Sequence, residues 1–120
     1  MSLHKQARLV ETFIASDGCE IAEVIHPVRD GTDSGVSLAR AVVDPGQATK
    51  AHVLDFVEIY YIISGRGVIH LDGRAAEVGP EDCVYIPAGR RQWIQNTGDE
   101  DLVFLCVCTP AYDPHGDHPA

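Results

Sequence analysis

The 120 residues predict an all-β fold, an antiparallel sandwich or barrel. Three observations carry that expectation. Short β-prone runs recur along the chain, turn residues punctuate them, and no long amphipathic helical pattern interrupts them. The runs fall at 21–25, 36–43, 57–63, 67–71, 75–78, 83–86, 92–95 and 102–108. A short turn is expected near the N-terminus, around 4–11. Between the runs lie DGTDSG, DPG, SGRG, Asp72-Gly73, Gly79-Pro80 and NTGD. Asp-Gly between 67–71 and 75–78 is a hairpin signal, because both residues tolerate the positive φ that a tight turn requires.

Individual strands add detail. In 36–43, Arg40 alternates with Val36, Leu38 and Val42, which sets a cation on an apolar face. In 67–71, His70 shares parity with Val68. In 92–95, Gln92 shares parity with Ile94 and Asn96, and Trp93 falls on the other side, where outer packing is expected. Runs 57–63 and 102–108 are apolar on both parities, so both of their faces need cover. In a closed barrel one cover is the lumen. The other is either the N-terminal strands or a second copy, and a homodimer is the expectation.

Composition excludes several function classes. A chain this long makes one domain with one core, and 45% hydrophobic residues are too many for a disordered chain. The net charge of −9 argues against nucleic acid and against an anionic membrane surface. No apolar run approaches the length of a transmembrane helix, and the N-terminus lacks the apolar core of a signal peptide. A cytoplasmic protein is expected. Its four cysteines have no zinc-ribbon spacing. Cys106 and Cys108 share parity in an apolar strand and read as reduced core thiols, with a redox or metal role as the alternative.

The stretch GQATKAHVLDFVEIYYIISG, 46–65, is the most informative. His52 and Glu58 are six residues apart, so an extended backbone puts both on one side together with Leu54, Phe56, Tyr60 and Ile62. A carboxylate on an apolar face is costly to bury without a partner, and a histidine with a metal ion is one such partner.

This spacing resembles the first motif of the cupin superfamily, G-x5-H-x-H-x3/4-E-x6-G. Gly46, His52, Glu58 and Gly65 match it, while Leu54 stands where the second histidine belongs. The second motif, G-x5-P-x-G-x2-H-x3-N, is matched by Pro87, Gly89 and Asn96. Glu81 replaces its glycine and Gln92 its histidine. The likeness spans roughly 37–110 and also resembles small single-domain cupins that carry Gln at the last ligand position. It implies a double-stranded β-helix (jelly-roll) barrel forming a single domain over 1–120. The barrel core would occupy about 20–110, and 111–120 would be a mobile tail.

The resemblance also implies a lumen site. His52, Glu58 and Gln92 are the candidate metal ligands, for zinc, manganese, iron or nickel. Glu58 and Tyr60 are the candidate catalytic groups. Arg40, Tyr60 and His70 are candidates for substrate contact, Arg40 as a clamp on a substrate carboxylate. Each residue has a plainer role. His52 and Gln92 would be hydrogen-bonded lumen groups, Glu58 would pair with Arg40 or a tyrosine, and Tyr60 would be a core tyrosine. The histidines at 115 and 118 would at most collect adventitious metal. Three functions therefore compete. They are a divalent-metal enzyme of isomerase, lyase or decarboxylase type acting on a small oxygenated molecule, a non-catalytic module binding a sugar or organic acid in the same lumen, and a metal-free barrel with a His52–Glu58 pair.

Overall fold

The computed structural model describes residues 4–120. Two antiparallel sheets face each other as a jelly-roll barrel. One holds β1 (Thr12–Ile14), β2 (Glu20–Ile25), β3 (Ser37–Val43), β10 (Leu102–Thr109), β5 (Val57–Ser64) and β8 (Cys83–Ile86), in that spatial order. The other holds β11 (Asp117–Pro119), β4 (His52–Leu54), β9 (Arg91–Asn96), β6 (Gly67–Leu71) and β7 (Arg74–Val78). Non-consecutive strands lie side by side in both sheets, as jelly-roll wrapping requires.

Every expected strand forms, within one or two residues at its ends. The three that were not expected, β1, β4 and β11, are three residues each, too short to show a period-two pattern. The N-terminal turn is a 3-10 turn over Ala7–Leu9. A four-residue helix, α1 (Pro27–Asp30), links β2 to β3. It starts on a proline, with the His26 ring accepting from the Val28 amide, and ends at Gly31 with φ 70°.

Alternation decides what enters the barrel. Along β5, Glu58, Tyr60 and Ile62 are buried, while Tyr61 and Ile63 are 42% and 46% exposed. On β10 the inward set is Leu102, Phe104, Cys106 and Cys108, and on β9 it is Gln92, Ile94 and Asn96. One end of the lumen is packed solid by Ile62, Ile94, Leu102 and Phe104, each no more than 1% exposed. Asn96 closes that end. Its side-chain amide donates to the Val43 and Glu100 carbonyls, and its oxygen accepts from the Gly98 amide.

The segment 111–120 departs from the expected mobile tail. It folds back across the opposite end of the barrel as a strap. Tyr112 sets its ring edge-on to Phe56 at 5.6 Å, the backbone turns through a 3-10 element at Pro114–Gly116, and β11 pairs with β4. The Asp55 amide donates to the Gly116 carbonyl at 2.8 Å. Its polar composition suggested a tail, but an otherwise open edge of β4 and the apolar Leu54–Phe56–Cys108 cluster give it a place to dock.

Candidate functional site

Strand register builds the site. His52 on β4 lies directly across from Gln92 on β9, and Glu58 on β5 lies across from Cys108 on β10. The first pair belongs to one sheet and the second to the other. Gln92 spans the gap, its side-chain nitrogen 3.0 Å from His52 Nε2 and 3.1 Å from Glu58 Oε1. Cys108 Sγ donates to Glu58 Oε2 at 3.4 Å. His52 Nδ1 lies 3.0 Å from the Lys50 carbonyl, which can only accept, so the ring proton sits on Nδ1. Nε2 therefore presents a lone pair, and one amide hydrogen of Gln92 meets it.

Glu58 is 7% exposed, His52 7% and Gln92 fully buried. Burial pushes the Glu58 carboxyl above the ordinary 4.5, and the donors Cys108 and Gln92, with His52 and the Tyr60 hydroxyl, oppose that rise. Burial also pushes the thiols up, Cys19 to about 12 and Cys106 and Cys108 likewise well above the usual thiol range. These three are buried thiols, protonated at neutral pH, as the sequence suggests, whereas Cys83 on β8 is exposed and lies outside the core.

These groups face a cavity of about 730 Å³ that opens between the β1–β2 turn and the strap. Glu58, Tyr60, His52 and Cys108 line its inner part. Its mouth carries Asp17, Lys50, Tyr112 and Asp117. The Tyr112 hydroxyl donates to Asp117 at 2.5 Å, and the Cys19 amide donates to Asp17 at 3.0 Å. Burial pushes the Asp17 carboxyl up, the Cys19 amide that donates to it works against the rise, and Asp117 adds to it.

Two expected substrate contacts do not reach the cavity. Arg40 sits on the outer face of its sheet, opposite Ala22 and Leu105, because the small residues Ala39 and Ala41 turn inward and line the lumen. It therefore neither clamps a ligand in the lumen nor pairs with Glu58 there. His70 lies on the outer face of the other sheet and stacks on its cross-strand neighbour Trp93, ring centroids 3.7 Å apart and planes parallel. Both errors have one cause: in a strand apolar on two sides, parity groups residues without saying which group faces inward. Asp17, Asp117 and Cys108 were missed as site residues. Asp17 sits in a turn and Asp117 in the strap, beyond any periodic signal. Cys108 faces Glu58 only through a register that parity does not fix.

Residues 39–108 match the Cupin domain family, more than half of the chain. The chain is 38% identical over 105 residues to the uncharacterized protein MJ1618 of Methanocaldococcus jannaschii, covering 86% of this chain and 82% of that one. It is 37% identical over 70 residues to the oxalate-binding protein of Thermotoga maritima, covering 58% of each. The structure of the polyketide cyclase RemF from Streptomyces resistomycificus superposes with a TM-score of 0.84 at 23% identity, over 100% of this chain and 86% of that one. The fold and the matched family model thus define a small barrel with a cavity in its lumen. The protein belongs to the cupin family.

The donor set does not fit a tightly held resident metal. Catalytic sites of this kind use three or four strong ligands, and here His52 and Glu58 are the two strong ones. Leu54 replaces the third, and Gln92 supplies a neutral amide whose nitrogen, not oxygen, faces them. Among the described residues no group of three or more His, Cys, Asp or Glu side chains is placed to hold a metal. No helix among them is long and apolar enough to cross a membrane.

Proposed function

We propose that this cupin binds a small molecule in the barrel lumen, with Glu58 as the group that meets it. The single observation carrying this reading is a buried carboxyl on the wall of a largely apolar 730 Å³ cavity, which falls within the roughly 300–1,000 Å³ of small-molecule sites. Gln92, itself held against His52, fixes the carboxyl from one side and Cys108 from the other, so its orientation is set before a ligand arrives. Burial raises the Glu58 carboxyl, so it holds its proton more readily than a solvated carboxyl, which suits the proton transfers of isomerase or lyase chemistry. Tyr60, two residues along the same face and lining the cavity, is the second contact. Similarity to an oxalate-binding protein and the shared fold with a polyketide cyclase support small-molecule binding and leave the ligand open. A thermal-shift screen of metabolites tests the reading. Ligands should stabilise the parent protein and lose that effect in Glu58→Gln and Tyr60→Phe. Hits indifferent to both substitutions would overturn it.

One observation favours the metal-dependent alternative. Gln92 Oε1 is buried with no hydrogen-bond partner, and turning the amide over would offer that oxygen to a cation in place of the nitrogen. Metal content by mass spectrometry on the full chain decides, with His115→Ala/His118→Ala removing the surface histidines. Truncating the strap instead would remove β11. Near-stoichiometric metal that His52→Ala abolishes would establish this alternative.

We also propose a homodimer through the outer face of the six-stranded sheet. Tyr61, Ile63 and Tyr85 are 42–60% exposed on neighbouring strands β5 and β8, and β8 is an edge. Sedimentation should give twice the 13.0 kDa chain mass and drop toward monomer in Tyr61→Glu.

A further inference from the structure

The chemistry of the lumen restricts the charge of what it can hold. Among the described residues four carboxyl side chains line the cavity: Asp17, Glu23, Glu58 and Asp117. Lys50 is the lone ammonium there, and none of the chain's arginines is in the wall. Arg29 pairs with Glu23 at 3.4 Å from outside and neutralises one acid, and Arg40 sits on the outer face. The remaining three acids face one lysine.

Hydrogen-bond capacity points the same way. Apart from Lys50, the donors beside these acids are already spent on them: Tyr112 on Asp117, Cys108 and, from outside the lining, Gln92 on Glu58, and the Cys19 amide on Asp17. Each carboxylate keeps unfilled lone pairs, since two oxygens offer about four acceptor positions. A ligand bearing hydroxyl hydrogens fills them. A carboxylate or phosphate brings more acceptors and more negative charge to a wall where Lys50 alone stands against three acids. The rest of the wall includes Phe13, Ile21, Leu54, Tyr60 and Phe104, a surface for flat hydrocarbon.

From these contacts we infer that the lumen selects an uncharged, largely carbocyclic molecule that donates phenol or enol hydroxyls to the wall carboxylates, and rejects carboxylates of the same shape. This inference rests on the lumen reading above, and extends it to ligand class.

Isothermal titration of the full chain at neutral pH, in buffer with chelator, tests it with naphthol and the matched naphthoate. Naphthol should bind more tightly by about tenfold or more, the scale of one unfavourable charge contact. In Asp17→Asn/Asp117→Asn, which keeps one acceptor oxygen on each side chain, the preference should narrow by about threefold or more as two charges leave the mouth. Naphthoate binding as tightly as naphthol, and lost in Glu58→Gln, would overturn the inference and leave the lumen site standing. A preference unchanged in the double variant would also overturn it. Binding of neither probe, or binding indifferent to Glu58→Gln, would overturn the lumen reading and the inference with it.

Discussion

The two ends of the lumen are built by the same strands and differ in every other respect. β5 runs from Glu58 at the open end to Ile62 at the filled end, and β9 runs from Gln92 to Asn96. At the filled end Phe104 faces Ile62 across the ladder and packs its ring 4.5 Å from Tyr60, so these two rings floor the cavity and Ile62 lies beyond it. At the open end the same ladder sets Glu58 against Cys108, and space is left beside them. Stability is concentrated where the side chains interdigitate, and chemistry where they do not. A buried polar cluster gains little net free energy from being buried, so it persists only on a scaffold stabilised elsewhere.

The sharpest break in that contrast comes from Phe104→Ala. Phe104 is 1% exposed and belongs to a core cluster that holds inward residues of both sheets, so its removal should cost about 3–5 kcal/mol, as for buried aromatic truncations. Urea unfolding measures it. A loss under about 1 kcal/mol would show that the filled end is not the core of the fold.

Glu58→Gln acts at the other end and should act through pH. In the unfolded chain this carboxyl titrates near 4.5, and burial raises it in the folded one. The folded state therefore favours the protonated acid. Relative stability is fully present below pH 4.5 and is lost as pH rises through the higher folded value. Gln cannot ionise, so the variant should gain on the parent from pH 4.5 upward and level off above the folded pKa. The change should be on the order of 1 kcal/mol, because lost charge-assisted hydrogen bonds offset part of the relief. Unfolding curves across that range decide, and a difference that does not vary with pH would mean Glu58 titrates as it does in the unfolded chain.

The contrast also explains what the sequence made legible. The filled end is partly written in alternation: Ile62 shares the face of Glu58 and Tyr60, and Ile94 that of Gln92 and Asn96, as their spacing predicts. His52, Glu58 and Gln92 were legible for a different reason, since the motif spacing fixes their places on β4, β5 and β9 and the structure brings them within hydrogen-bond distance. Arg40 and His70 were misplaced because their strands are apolar on both sides, so nothing local distinguishes lumen from exterior. The mouth was illegible altogether. Asp17 and Asp117 are far apart in sequence and meet only through a turn and a three-residue strand, neither of which carries a pattern.

The strap that completes the open end gives the smallest expected effect. Its visible ion pair, His118 with Asp55 at 3.0 Å, joins side chains that are 51% and 63% exposed. Exposed pairs contribute only about 0–1 kcal/mol, so His118→Ala should change stability by no more than about 0.5 kcal/mol. The strap has stronger attachments. β11 shares a backbone ladder with β4, the Gly116 carbonyl accepts from Asp55, and Gly116 lies so close to Phe56 that a Cβ there would sit 3.1 Å from the ring. Amide exchange at Asp55 and along β4 should therefore stay as slow in His118→Ala as in the parent, because protection follows the ladder and the Phe56 contact. Faster exchange on β4 would instead make the ion pair the clasp of the strap. The open end would then be gated by a surface charge, and its shape would not be set by packing as the filled end's is.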